Sequence, residues 1–120
     1  MKNTAISPFL RLQSELASFA KARDWEQFHN PKNLVMALSG EVGELAELFQ
    51  WLTPEQAADF PQEKKEALAH ELADIQLYLL RIAEKCNIDL EEACDKKLVL
   101  NNEKYPVDKC YGRAVKYNEL

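Results

Sequence analysis

Between Leu34 and Trp51 the chain reads LVMALSGEVGELAELFQW, a run whose leucines recur at helical spacing and which nevertheless carries three glutamates. At about 100° per residue, Leu34, Leu38, Leu45, Leu48 and Leu52 fall within roughly 40° of one line, with Val35, Val42 and Phe49 beside it. A stripe this regular has to be buried against another element. Glu41 lies inside it, between Leu38 and Leu45. Glu44 lies about 60° to one side, on the same edge as Trp51, and Glu47 about another 60° out, where water reaches it. Burying an unpaired carboxylate costs on the order of several kcal/mol or forces its pKa upward, so a stripe that keeps Glu41 should supply a positive partner.

The situation recurs further along. Leu68, Leu72, Ile75, Leu79, Ile82 and Cys86 form a second stripe, with Glu71 at its margin between Ala67 and Tyr78 and Asp74 one step further out. Each helix therefore carries two acids at i and i+3, a spacing that puts both carboxylates on one face about a turn apart. Cations within reach are few: Lys32 and Arg81 stand toward opposite ends, and Lys64 and Lys65 precede the second pair. In a chain with 20 acidic residues a single such pair is commonly a solvated face. Two pairs on consecutive helices, both at the margin of a core stripe, suit a divalent ion better than salt bridges. All-oxygen ligands, with no His or Cys at ligand spacing, point to a hard ion, magnesium, with manganese as its substitute.

Glycine is scarce, at 3 residues in 120, and no stretch alternates apolar and polar long enough to make a strand, so the expected fold is all-α. The pattern predicts a first helix over 6–23 and a second from the cap and first position Asn30-Pro31 to Leu52. After a short acidic turn over 54–59, a third helix is predicted from Phe60-Pro61 to Cys86, and a fourth from the Asp89 cap to Pro106. The last residues, 106–120, read as an extended tail. Short connections suggest one domain over 1–120 built like a four-helix bundle. Its length allows roughly two thirds of the unfolded surface to be buried.

The net charge of −5 argues against a nucleic acid polymer or an anionic membrane as partner. The N-terminal residues lack an apolar run of signal-peptide length, and no run reaches the roughly 18 residues of a membrane span. Three cysteines without CxxC spacing suggest neither a disulfide framework nor a zinc site, and the expectation is a reduced, cytoplasmic protein.

ExxE at Glu41 and Glu44, followed by ExxD at Glu71 and Asp74, resembles the all-α nucleoside triphosphate pyrophosphohydrolases of the MazG-like superfamily. Four segments in order, RDWEQFH, LSGEVGELAELFQW, ELADIQLYL and NNEKYPV, are similar to the dCTP pyrophosphatase branch. The resemblance implies hydrolysis between the α and β phosphates of a deoxynucleoside triphosphate, with Glu41, Glu44, Glu71 and Asp74 as magnesium ligands. It implies a phosphate role for Lys97, Asn101 and Lys104. One of the four acids would also take the proton of the attacking water; Glu44 is the expected one, and the sequence does not single it out.

Within the same resemblance, Trp25 and His29 match the segment that lines the base pocket, and Trp51 and Tyr78 the aromatics that close on base and sugar. Trp51 and Tyr78 also lie at a stripe edge, where aromatics are commonly core residues. One position departs from the branch: where it has a histidine on the first helix, nine residues before the tryptophan, this chain has Leu16, so base preference could be different or broader. The family implies a homo-oligomer, a tetramer built as a dimer of dimers. Other readings are a broader pyrophosphatase acting on dATP or dUTP, and a catalytically silent helical interaction module; a calcium-binding bundle finds no DxDxDG loop.

Overall fold

The structure, a computed structural model, describes residues 5–120. It is helical throughout, and no strand occurs among the described residues, as the scarcity of glycine and the absence of alternation predicted. The helices are α1 (Pro8–Ala22), α2 (Pro31–Phe49), α3 (Pro54–Ala58), α4 (Lys65–Lys85), α5 (Leu90–Lys104) and α6 (Val107–Cys110). Single 3-10 turns precede α4, at Gln62–Lys64, and close the chain, at Tyr117–Glu119. No helix among the described residues is long and apolar enough to cross a membrane.

Helix ends follow the capping chemistry of the local sequence. Asn30 accepts the Asn33 N–H at 2.9 Å with Pro31 at the first helical position, and Asp89 accepts the Glu92 N–H at 3.0 Å. The start of α1 differs from the expected Ile6, because Ser7 caps by accepting the Leu10 N–H at 3.3 Å and Pro8 takes the first position. Helix α2 stops at Phe49 rather than Leu52. Pro54 holds Thr53 extended, and the chain needs the intervening residues to turn. Thr53 and Gln56 then exchange capping bonds at 3.2 and 3.0 Å, which makes the expected acidic turn a short helix.

Two further boundaries are corrected. Helix α4 begins at Lys65, not at Phe60-Pro61, because Pro61 is extended and no side chain caps the turn that follows. Phe60 instead packs its ring on Phe49, at 5.0 Å between centroids. The C-terminal residues are not simply extended: α6 and the final 3-10 turn lie within them. Tyr117 meets Tyr105 edge-on at 6.3 Å, and the Lys104 ammonium sits over the Tyr117 ring at 4.9 Å, contacts that fold this segment back on the end of α5.

The chain divides into two compact units, Met1–Ile88 and Asp89–Leu120. In the first, α4 packs against both α2 and α1, and the buried core draws Leu80 and Ala83 from α4, Ala20 from α1 and Leu34 from α2. Gln13 of α1 donates to the Leu80 carbonyl at 2.8 Å, a polar tie beside that core. Left-handed residues end two of these helices: Asp24 (φ 55°) after α1 and Asn87 (φ 56°) after α4, residue types that tolerate this conformation.

Leu80 is the largest fully buried side chain, at 0% exposure. Leu80→Ala is expected to destabilise the first unit by about 2–5 kcal/mol, read as a lower urea midpoint.

Candidate functional site

Packing α2 on α4 brings the two acid pairs together. Carboxylate oxygens of Glu41, Glu44 and Glu71 lie within 4.8 Å of one another. Glu41 and Glu71 are half-buried and Glu44 is exposed. One oxygen of Glu41 and one of Glu71, both Oε2, are shut off from water with no hydrogen-bond partner. No Lys or Arg forms an ion pair with any of the four predicted acids among the described residues.

The electrostatics follow from this. Loss of hydration, the neighbouring carboxyls of Glu71 and Glu44 and the charge of Asp74 push Glu41 up to about 7. Glu71 is raised as well, chiefly by burial. An all-oxygen set with converging, unneutralised anions fits a hard divalent ion: Glu41, Glu44 and Glu71 present the donors, and the orphaned oxygens supply the reason a cation would be held there. Asp74 stands outside the group of three converging oxygens. Its charge nevertheless raises Glu41, Glu71 and Tyr78, so it lies within electrostatic reach.

Asp74 also lines a cavity of about 450 Å³ beside the acids. Leu12, Leu16 and Phe19 of α1 and Leu34 of α2 contribute apolar wall, and Leu77 and Tyr78 of α4 complete it. Trp25 and His29, from the connection between α1 and α2, border it together with Glu15 and Arg81. Trp25 is held edge-on against Phe19 at 5.6 Å and lies 6.2 Å from the His29 ring. Along α4, Glu71, Asp74, Tyr78 and Arg81 follow one another on one face, a span of about 15 Å at 1.5 Å per residue. The acids therefore occupy one end of this row and the aromatic cavity the other.

Arg81 is the residue that the sequence pattern did not assign to the site. It is 3% exposed, forms ion pairs with Glu26 and, at 3.3 Å, with Glu84, and directs Nε–H to His29 Nδ1 at 3.4 Å. Lys85 also pairs with Glu26. These contacts hold Glu26 below the usual carboxylate range, the Lys85 bond being the largest cause. His29 is lowered by burial first and by the Arg81 charge second, with Glu26 opposing. The available signal was a lone charge inside the apolar run LYLLRIA, since an arginine so placed needs carboxylates from elsewhere in the fold.

Of the remaining predicted residues, Tyr78 shares the cavity and the others lie elsewhere. Trp51 is 86% exposed in the turn after α2 and lines no part of the cavity, which removes its reading as a core residue of the single chain. Tyr78 is half-buried in the cavity wall. Lys97, Asn101 and Lys104 belong to the second unit, where their i, i+4, i+7 spacing puts them on one face of α5. The three cysteines are free thiols.

Comparison with known proteins places these observations in context. A family model described as the MazG-like family matches residues 36–120. A mouse protein, dCTP pyrophosphatase 1, is 47% identical over 106 residues, which is 87% of this chain and 62% of that protein. The human protein of the same name is 48% identical over 107 residues, again 87% and 62%. The chain thus spans about 62% of the length of these curated relatives. The crystal structure of a pyrophosphatase from Archaeoglobus fulgidus superposes with a TM-score of 0.80 at 32% identity, covering 88% of this chain and 99% of that one.

The acid cluster carries a pH signature. Glu41 sits near 7 in the folded chain against an ordinary 4.5, so the folded state holds the extra proton between those values and metal-free stability declines as pH rises through that window. A bound ion displaces that proton. Magnesium is therefore expected to raise the melting temperature more at about pH 8 than at about pH 5.5, measured by thermal unfolding with and without the ion. Trp51→Ala, by contrast, should leave the unfolding free energy from urea titration unchanged within about 0.5 kcal/mol.

Proposed function

The chain belongs to the MazG-like family, and on that premise we propose that it is a magnesium-dependent nucleoside triphosphate pyrophosphohydrolase, with dCTP and its 5-modified forms as favoured substrates. The observation that carries this reading is the row along α4, in which unneutralised carboxylates adjoin an apolar cavity bordered by Trp25, Tyr78 and His29. The relatives named as dCTP pyrophosphatases support the choice of base.

In this reading Glu41, Glu44, Glu71 and Asp74 hold the ion. When bound, magnesium neutralises charge on the phosphates and acidifies a water molecule. Glu44, exposed and adjacent, takes the proton of the attacking water and releases it to solvent. Trp25 and Tyr78 offer flat surfaces for the base and sugar, while Leu12, Leu16 and Phe19 exclude water from that end. Lys97 and Lys104 offset charge on the outer phosphates, and Asn101 donates a hydrogen bond to them. The products are the monophosphate and pyrophosphate, and the cellular role is control or cleaning of the deoxynucleotide pool in the cytoplasm.

Association of copies completes the proposal. Val35 and Val42 on α2, and Leu72 and Leu79 on α4, are exposed on the single chain, an apolar surface suited to a homo-oligomer arranged as a dimer of dimers. Trp51, exposed on one copy, is available to close on the base at a neighbour's site.

The test is a panel of canonical and 5-methyl deoxynucleoside and ribonucleoside triphosphates with magnesium, the products separated by chromatography. dCMP and pyrophosphate from dCTP, with turnover lost in Glu41→Gln and Asp74→Asn that remain folded by circular dichroism, is the expected result. Trp25→Ala should weaken dCTP binding by about 1–3 kcal/mol, the usual weight of a base-stacking contact. No hydrolysis of any triphosphate by a folded protein, with magnesium and manganese both supplied, would leave a silent interaction module instead.

A further inference from the structure

Arg81 is the one fully buried charge among the described residues, set beside Leu80 and Ala83 of α4. Glu26 and Glu84 engage its two Nη atoms. Its Nε–H is used differently, donating to Nδ1 of His29 at 3.4 Å. A guanidinium offers donors only and does not lose its proton, so in this contact Nδ1 can only accept. The single ring proton of His29 must then reside on Nε2. A second proton, at Nδ1, would set N–H against N–H. Burial and the Arg81 charge act in the same direction, Lys85 adds to them, and Glu26 is the opposing neighbour. Nε2 has no protein partner among the described residues, and His29 lines the cavity.

We propose that Arg81 is a positioning residue for base recognition: it locks His29 as the neutral Nε2–H tautomer, so that the cavity holds a fixed hydrogen-bond donor that reads an acceptor on the edge of the base. The inference rests on the nucleotide reading above and deepens it. Glu26, shared by Arg81 and Lys85, and Glu84 balance the guanidinium charge and set its plane. The cavity thereby presents a neutral donor rather than a cation, which suits an uncharged base rather than a phosphate. Cytosine has acceptors at O2 and N3, whereas uracil and thymine carry a proton on N3. Facing N3, this donor favours cytosine over the other pyrimidines, which would set two donors against each other; facing O2, which all three carry, it reads a pyrimidine without choosing among them.

Long-range ¹H–¹⁵N spectra of the full chain without nucleotide read the tautomer directly, with exposed His70 as an internal reference. His29 is expected as Nε2–H. Arg81→Lys keeps the charge and loses the Nε–H; it is expected to average the tautomers and raise KM for dCTP about fivefold, the weight of one hydrogen bond, with a smaller change in kcat. A wild-type His29 protonated on Nδ1, or an Arg81→Lys protein whose tautomer and KM match wild type, overturns the proposal. If Arg81→Lys does not fold, Glu26→Gln, which frees the guanidinium plane at an exposed position, is read by the same two measurements against the same outcomes. A wild-type chain that hydrolyses no triphosphate removes the nucleotide reading, while the tautomer, measured without substrate, still supports or overturns the lock.

Discussion

Packing of α2 against α4 shuts one oxygen of Glu41 and one of Glu71 off from water at the same place, and much of the first unit is arranged around that conflict. Leucines on the stripe favour the packing, each by about 1.5–3 kcal/mol when fully covered. The carboxylates oppose it, since like charges brought together in a partly dry seam repel and lose hydration. Without a cation, the chain's own remedy is to keep a proton on Glu41, whose pKa is pushed up to about 7. A seam that stores unneutralised charge in this way is weakly justified as a stabilising device. It is well justified as a binding site.

A second buried charge in the same unit is treated in the opposite manner. Arg81 has carboxylates on both sides, from Glu26 and Glu84, and Lys85 balances Glu26 in turn. Charge in this network is balanced by ion pairs, although Glu84 Oε2 is buried without a hydrogen-bond partner. Only the contact to His29 reaches the cavity wall. One helix therefore carries both arrangements: α4 holds open negative charge at Glu71 and Asp74, and balanced charge one to two turns beyond Tyr78, at Arg81 and Lys85. Polarity along α4 thus separates open negative charge at one end from balanced charge at the other.

Much of this was legible in the residues. The all-α class and the Asn30 and Asp89 caps follow from periodicity and local capping, which depend on neighbours a few residues away, whereas the α2 stripe is fully buried only at Leu34, with Val35 and Val42 left exposed. The acid pairs at i and i+3 on two helices were likewise readable, because a helix that buries one face has few orientations open to it. The Leu16 position, noted as a departure from the family pattern, does line the cavity. Errors gathered where local signals compete: at Pro61, where an extended proline delayed α4, and after Pro106, where aromatic contacts curled a segment expected to be extended.

The sequence by itself determined which residues share a helical face, since 3.6 residues per turn is a local rule, and so it placed the four acids and the first-unit helices that carry them. Which partner each face would meet was a matter for the tertiary structure. Arg81, one of the few cations near the acid pairs in sequence, turned to Glu26 and His29 across 55 and 52 positions of chain and left Glu41 without a partner. Trp51 stayed in water, and α1 supplied Leu12, Glu15 and Phe19 to the cavity, none of them marked by a motif, beside Leu16. The reason is physical: an ion pair or a cavity wall is made by distance in space, and helical periodicity specifies direction around an axis without specifying what stands opposite.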